Sequence, residues 1–326
     1  MFTTRDFLIV RNRILRATGL MPNRRAKMNP YKLPESRRRE GARAGLALVA
    51  IIKDERPYLE EWIAFHAMLG ASAVYVYDNG STDEGPAFLR SHDFGIPVTC
   101  LPWWSFDGIE STQVLAYAHA LANFGADHRW MAFLDVDEFM MPAVGADLPA
   151  TLAQFERQPG VTMPWISFGP NGHREKPDGL VIENYTERAA WPPIPAQFNL
   201  LRFKAVVDPA EVEIAGCHEF GYRGRGVVMI NEAGESIEPL AARSEGFAKA
   251  EILRLHHYFS RSEAEMAAKL EKGRVSENGR INRTTYARRI EQYRLSTHRD
   301  ETALRFVAPL NARLTGGRLS GGAAID

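Results

Sequence analysis

Leu46-Ala-Leu-Val-Ala-Ile-Ile52 is a continuous apolar run bounded by charge, with Arg43 before it and Lys53-Asp54-Glu55-Arg56 after it. A run with no polar alternation suits a strand buried on both faces of a parallel sheet. The next segment, from about Pro57 to Leu69, reads as a helix. Pro57 suits a first helical position and Gly70 suits the stop. Leu59, Trp62, Ile63, His66 and Leu69 recur at helical spacing and form one apolar-leaning stripe. Ala73 to Tyr77 is the next strand, ending in the turn cluster Asp78-Asn-Gly-Ser-Thr-Asp83, which leads into a short helix. A strand over 96–101, a helix over 110–124 and a strand Trp130-Met-Ala-Phe-Leu134 follow, the last running into Asp135-Val-Asp-Glu138.

This β-α-β-α-β-α-β order, in about 90 residues, predicts an α/β fold with a doubly wound sheet. Ligands of such sheets bind beyond the carboxyl ends of the strands, so both acidic clusters are expected to face one crevice. Beyond residue 150 the pattern loosens. Strands are expected around 161–168, 178–188 and 201–207, and a helix over 262–272, with Ser262 and Glu265 as a capping box and Gly273 past its end. The resulting division is a basic, partly disordered leader (1–44), a main domain (45–275), a C-terminal helical extension (276–313) and a flexible tail (314–326).

The whole chain has no net charge over its 326 residues. Residues 1–43 nevertheless hold twelve Arg or Lys against three acids, so the body is acidic by the same amount. Two readings of that segment stand: peripheral contact with an anionic membrane surface, or a solvated leader. The acidic body argues against nucleic acid. Two cysteines, Cys100 and Cys217, without paired spacing fit a reducing compartment. No apolar run approaches the ~20 residues that cross a bilayer. Phe7-Leu-Ile-Val10 is too short for a signal-peptide core. The expected location is cytoplasmic, at most peripheral to the inner face of a membrane.

Asp135 and Asp137, at i and i+2 on a strand end, can converge on one hard cation such as Mn²⁺ or Mg²⁺. A solvated acidic turn is the structural alternative. Asp78 can accept a hydrogen bond from a base; Asn79, Gly80 and Asp83 read better as turn residues. His218 and His257 are the candidates for a third metal ligand, each also readable as a hydrogen-bonded histidine of the interior. Gly221-Tyr-Arg-Gly-Arg-Gly226 offers Arg223 and Arg225 to a diphosphate. It lacks the strand–helix context of a dinucleotide motif. Trp103, Trp104, Trp165 and Trp191 can stack on sugars or simply pack.

These pieces together resemble a known family. Ile52-Lys-Asp-Glu55, Trp62-x₃-His66, Tyr77-Asp-Asn-Gly-Ser-Thr-Asp83, Gln113-x₃-Tyr117, Trp130-Met-Ala-Phe-Leu-Asp-Val-Asp-Glu-Phe139, Phe168-Gly-Pro-Asn-Gly-His173 and His257-Tyr-Phe-Ser-Arg-Ser262 are similar to family-2-like glycosyltransferases of GT-A fold, in the branch related to family 92. The resemblance covers roughly 46–275. It implies a GT-A-type mixed sheet flanked by helices and a nucleotide-sugar donor, most simply a UDP-sugar. It puts Asp78 on the base, Glu55 near the nucleoside and Gln113 on the donor. Asp135 would touch ribose or metal, Asp137 would hold Mn²⁺ or Mg²⁺, and a later histidine would complete the metal site. Asp54 stands where the family often has Asn, and His119 where an Asn is common. The implied chemistry is inverting hexosyl transfer to a glycan or other hydroxyl acceptor, with a carboxylate as base. Glu219 is the first candidate, with Asp178 and Glu183 as others. A sugar nucleotidyltransferase would carry a Gly- and basic-rich loop where this chain has Lys53-Asp-Glu-Arg56. A catalytically silent binding protein of the same fold is the other alternative.

Overall fold

A computed structural model describes residues 31–33, 43–105, 111–192, 201–244, 246–272 and 297–319. Most of the expected leader, residues 273–296 and the last seven residues lie outside these ranges. Eight strands form the main sheet: β1 (Leu46–Ile52), β2 (Ala71–Asp78), β3 (Val98–Pro102), β4 (Trp130–Phe133), β5 (Glu138–Pro142), β6 (Gly160–Ser167), β7 (Phe203–Val207) and β8 (Leu253–His257). Their spatial order is β3-β2-β1-β4-β7-β6-β8-β5. The first four run parallel; β7 is antiparallel to both β4 and β6, β8 is parallel to β6, and β5 is an antiparallel edge. The expected mixed α/β sheet is therefore present.

Every residue of β1 is buried. Leu46, Leu48, Ala50 and Ile52 enter one core, while Ala47, Val49 and Ile51 enter the other. That alternation across two apolar layers is why the run carries no polar residue. Helix α1 (Arg56–Met68) covers the first face, and its stripe, Leu59, Trp62, Ile63 and His66, is buried in full. Short helix α2 (Gly85–Ser91) follows β2. Helix α3 (Thr112–Phe124) covers the opposite face through Ala116, Tyr117, Ala120 and Leu121, with Ser111 as its N-cap. A second, five-stranded sheet packs on that same face through Val212, Phe220, Tyr222 and Ile230.

Three expectations need correction. Tyr31–Lys32, inside the supposed leader, is a strand paired with Ala215 and Ile214. Residues 178–188 are a helical turn, Val181–Asn184, and a two-residue strand, Glu187–Arg188. The Glu61 carboxylate accepts hydrogen bonds from the Val181 and Ile182 amides at 2.9 and 3.2 Å and so caps that turn. The tail from 314 instead begins within helix α5 (Val307–Leu319), where buried Leu310 anchors it in the α1 core. The capping box is as expected: helix α4 (Glu263–Lys272) starts with Ser262 Oγ donating to Glu265 at 2.6 Å and accepting from its amide at 3.3 Å. Among the described residues no helix is long and apolar enough to cross a membrane.

His66 predicts an acid sensitivity. Its Nδ1–H donates to the Trp62 carbonyl at 2.8 Å, and its Nε2 accepts from the Met140 amide at 3.0 Å. Burial lowers its pKa from 6.5 to about 4, against a small upward pull from Trp62. The unfolded chain therefore takes up the proton first as pH falls. Stability from this group is complete above pH 6.5 and declines towards pH 4, by roughly 3 kcal/mol in total. Urea midpoints at pH 7 and 4.5 should show the drop, and His66→Gln should lessen it.

Candidate functional site

Strand β4 ends in the middle of the sheet, and β5 begins at its far edge. The link Leu134–Asp137 therefore spans the intervening strand ends, tightened by the Glu138 amide donating to the Asp135 carbonyl at 2.9 Å. Lys204, on the intervening β7, is fully buried beneath it. Its Nζ lies 3.0 Å from Asp135 Oδ2 and 3.6 Å from Glu138 Oε2. Burial disfavours the ammonium, but Asp135 and Glu138 outweigh it and raise the pKa. Glu138 is the reverse: burial pushes its carboxyl well above the usual range, and Lys204 only partly offsets that. Gln113, on α3, donates to the other Asp135 oxygen at 3.1 Å and to the Tyr117 hydroxyl at 2.8 Å.

Asp137 is buried between two chain-distant partners. His257, the last residue of β8 and the register partner of Glu138, places Nε2 3.6 Å from Asp137 Oδ1. Trp165 packs on the imidazole with ring centroids 4.0 Å apart. Lys269, on α4, is paired with Asp137 Oδ2. Burial opposes ionisation of Asp137, yet Lys269, then His257 and Arg261, hold it well below the ordinary carboxylate range. Arg261 lies flat on Tyr58 at 3.2 Å and 3.5 Å from Glu55. Its backbone is left-handed, with φ +48°, a conformation costly for a non-glycine residue.

The donor set suits a hard divalent cation. Asp137, Glu138 and His257 each offer a ligand atom within 4.8 Å of the others. Asp137 Oδ1, Glu138 Oε1 and His257 Nδ1 are buried and make no hydrogen bond among the described residues. Two carboxylate oxygens with capacity to spare, beside an imidazole, match the preferences of Mn²⁺ or Mg²⁺. Asp135 stands next to this group but is held by Lys204 and Gln113.

The remaining candidates are spread around this end of the sheet or away from it. Asp78 closes β2 and accepts from the Ser81 amide at 2.9 Å. Asp54, left-handed at φ +55°, accepts from the Thr82 amide at 2.6 Å, and Asp83 accepts from the Arg56 amide at 2.8 Å. These bonds fold the 78–83 turn onto the end of β1, with Glu55 beside it. His218 is half-buried, its Nδ1–H donating to the Phe203 carbonyl at 2.8 Å. Burial, and then Lys204, lower its pKa to about 4. It shares Trp165 with His257, but His257 is the histidine beside Asp137. Glu219 is half-buried, and burial raises its carboxyl against the pull of Arg243 and Arg202. Asp178 and Glu183 are exposed.

Arg223 and Arg225 are not brought to the acidic end. Arg223 Nε donates to the Ala210 carbonyl at 3.1 Å, just past the end of β7, where β7 pairs with the start of β4. Arg225 is exposed in the same hairpin turn. Among the described residues, Lys204, Arg261 and Lys269 are cations that do reach the acidic end, none of them singled out by the sequence reading. Lys204 had a legible signal, a lone charge in the apolar strand Phe203-Lys-Ala-Val-Val207. The left-handed turn at Arg261 and the reach of Lys269 have none.

Fold and site together define a mixed α/β protein with a buried acidic group, lined by cations, at the carboxyl edge of its sheet. The family model for glycosyltransferase family 92 matches residues 53–237, more than half of the chain, and the chain belongs to that family. A family 92 protein of Arabidopsis thaliana is 24% identical over 208 residues, 60% of this chain and 34% of the relative. One from Oryza sativa subsp. japonica is 25% identical over 57% of this chain and 32% of its own. The matched region thus spans about a third of the curated relatives' length. Among solved structures, residues 1–349 of S. aureus TarS, in complex with UDP, align at 14% identity and TM-score 0.33 over 51% of this chain and 47% of that one. Glucosyl-3-phosphoglycerate synthase from Mycobacterium tuberculosis, in complex with Mn²⁺, UDP-glucose and phosphoglyceric acid, aligns at 18% identity and TM-score 0.26 over 43% and 52%.

Proposed function

We propose that this chain is a metal-dependent, inverting glycosyltransferase that moves a hexosyl group from a nucleotide-sugar, most simply a UDP-sugar, to a hydroxyl of a glycan or similar acceptor. The observation that carries the reading is the buried Asp137–Glu138–His257 group beside Asp135, at the carboxyl edge of the sheet, with Asp137 Oδ1 and Glu138 Oε1 accepting no hydrogen bond among the described residues. Asp137 and His257 would hold Mn²⁺ or Mg²⁺, with Glu138 or Asp135 adjoining, and the ion would supply charge neutralisation at the departing diphosphate. Asp78 and Glu55 would contact the nucleoside. Arg261, fixed on Tyr58 and directed at the acidic group, takes the diphosphate role first given to Arg223 and Arg225.

Transfer by single displacement makes a bond from the acceptor oxygen to the anomeric carbon as the bond to the diphosphate breaks. The acceptor proton passes to a carboxylate. Glu219 remains the first choice, because burial raises its proton affinity; Asp178 and Glu183 are the exposed alternatives. The matching cellular setting is a cytoplasmic enzyme of polysaccharide biosynthesis, with the basic N-terminal segment against the membrane's inner face.

The test is Mn²⁺-dependent release of UDP from a panel of UDP-sugars, without acceptor and then with candidate acceptors. No release or transfer from any donor, with UDP still bound, would support a silent binding protein instead. Glu219→Gln is expected to lower transfer at least about a hundredfold with donor affinity unchanged. Full transfer by that variant would remove Glu219 as base.

A further inference from the structure

Two cations flank Asp137, and they differ in freedom. Arg261 is buried, stacked on Tyr58 and paired with Glu55. Lys269 is a third exposed, on a flexible stem, and its ammonium lies over the Phe259 ring at 4.2 Å and donates to the Phe259 carbonyl at 3.4 Å. Its helix is fixed at the other end by the Ser262–Glu265 capping box. A divalent ion that uses Asp137 meets an ammonium already on that carboxylate, and two like charges in a buried site repel strongly. Asp137 Oδ1 faces His257 Nε2 at 3.6 Å, while Oδ2 carries Lys269.

The geometry points to Lys269 as an exchangeable internal cation. It neutralises Asp137 until a divalent metal ion takes that carboxylate, then swings out and pairs with the phosphates of the incoming nucleoside diphosphate. This rests on the reading of Asp137 as a metal ligand. Arg261 cannot make the exchange, because leaving would strand Glu55 and uncover Tyr58. Lys269 can, because its side chain is a third exposed, it gives up only the Phe259 carbonyl and ring besides Asp137, and its ammonium stays charged on either partner. The site keeps its charge balanced in both states.

The test measures Mn²⁺ binding to the full chain by the electron paramagnetic resonance of free Mn²⁺, and UDP binding at saturating Mn²⁺ by calorimetry. Lys269→Met is expected to bind Mn²⁺ about tenfold more tightly than the wild type and UDP about tenfold more weakly, each tenfold being 1.4 kcal/mol. Lys269→Arg, which keeps the charge, should show no gain in Mn²⁺ affinity. Unchanged Mn²⁺ affinity in Lys269→Met, or unchanged UDP affinity, overturns the exchange and leaves the proposed activity standing. Normal Mn²⁺ binding by Asp137→Asn would instead overturn the metal reading beneath it. Circular dichroism checks folding, and Lys269→Gln serves if the methionine variant does not fold.

Discussion

Asp137→Asn is expected to leave a folded protein with at least about a hundredfold less Mn²⁺-dependent UDP release, the loss that follows removal of a charged metal ligand. The fold should survive because the partners freed by the change have other outlets. Lys269 is 32% exposed and can hydrate its ammonium, and Arg261 keeps Glu55 and Tyr58. The carboxamide still fills the volume, so no cavity opens. Circular dichroism and urea unfolding would confirm the fold, and Mn²⁺ titration would place the defect in ion binding. Activity equal to that of the wild type would show that the acidic turn is structural.

Lys204→Met is expected to have the opposite profile, with stability as the main loss. Lys204 is fully buried and is the shared counter-charge of Asp135 and Glu138. Methionine fills the space but removes the cation that Asp135 and Glu138 share; breaking a buried pair from one side costs up to about 3–5 kcal/mol, and less as Glu138, whose carboxyl burial already pushes up, takes a proton instead. Lys204→Met combined with Glu138→Gln removes both charges and should recover most of it, since a neutral pair of similar volume avoids the desolvation cost. Chemical denaturation of the two single variants and the double variant gives the coupling directly. Additive losses would mean that the pair does not work as a unit. Asp135, one-third exposed, would also lose the contact that orients one of its oxygens.

The parts of the fold legible from sequence are those in which one local pattern has one physical solution. An apolar run as short as Leu46–Ile52 needs cover on both sides, and the stripe from Leu59 to His66 can only turn inward. The Ser262–Glu265 box satisfies its own amides, so its position is independent of the rest of the chain. The misread segments lack that autonomy. Val181–Asn184 is helical because Glu61, 120 residues earlier, caps it. Helix α5 is held by the α1 core, although its two adjacent glycines suggest a loose tail.

For the site, the sequence by itself determined that a pair of acids leaves the end of a buried strand and that a second acidic turn does the same two strands away. Periodicity and strand polarity are properties of neighbouring residues, so they survive reading one segment at a time. Only the tertiary structure decided which side chains meet there. The chain crosses from the centre of the sheet to its edge between Phe133 and Glu138, and that crossing sets Asp137 against His257 and Lys269 and draws Lys204 beneath Asp135 and Glu138. The antiparallel course of β7 sends Arg223 to the opposite end. Such meetings depend on strand order and direction, which are settled by burying two apolar layers at once and leave no mark on any single stretch of sequence.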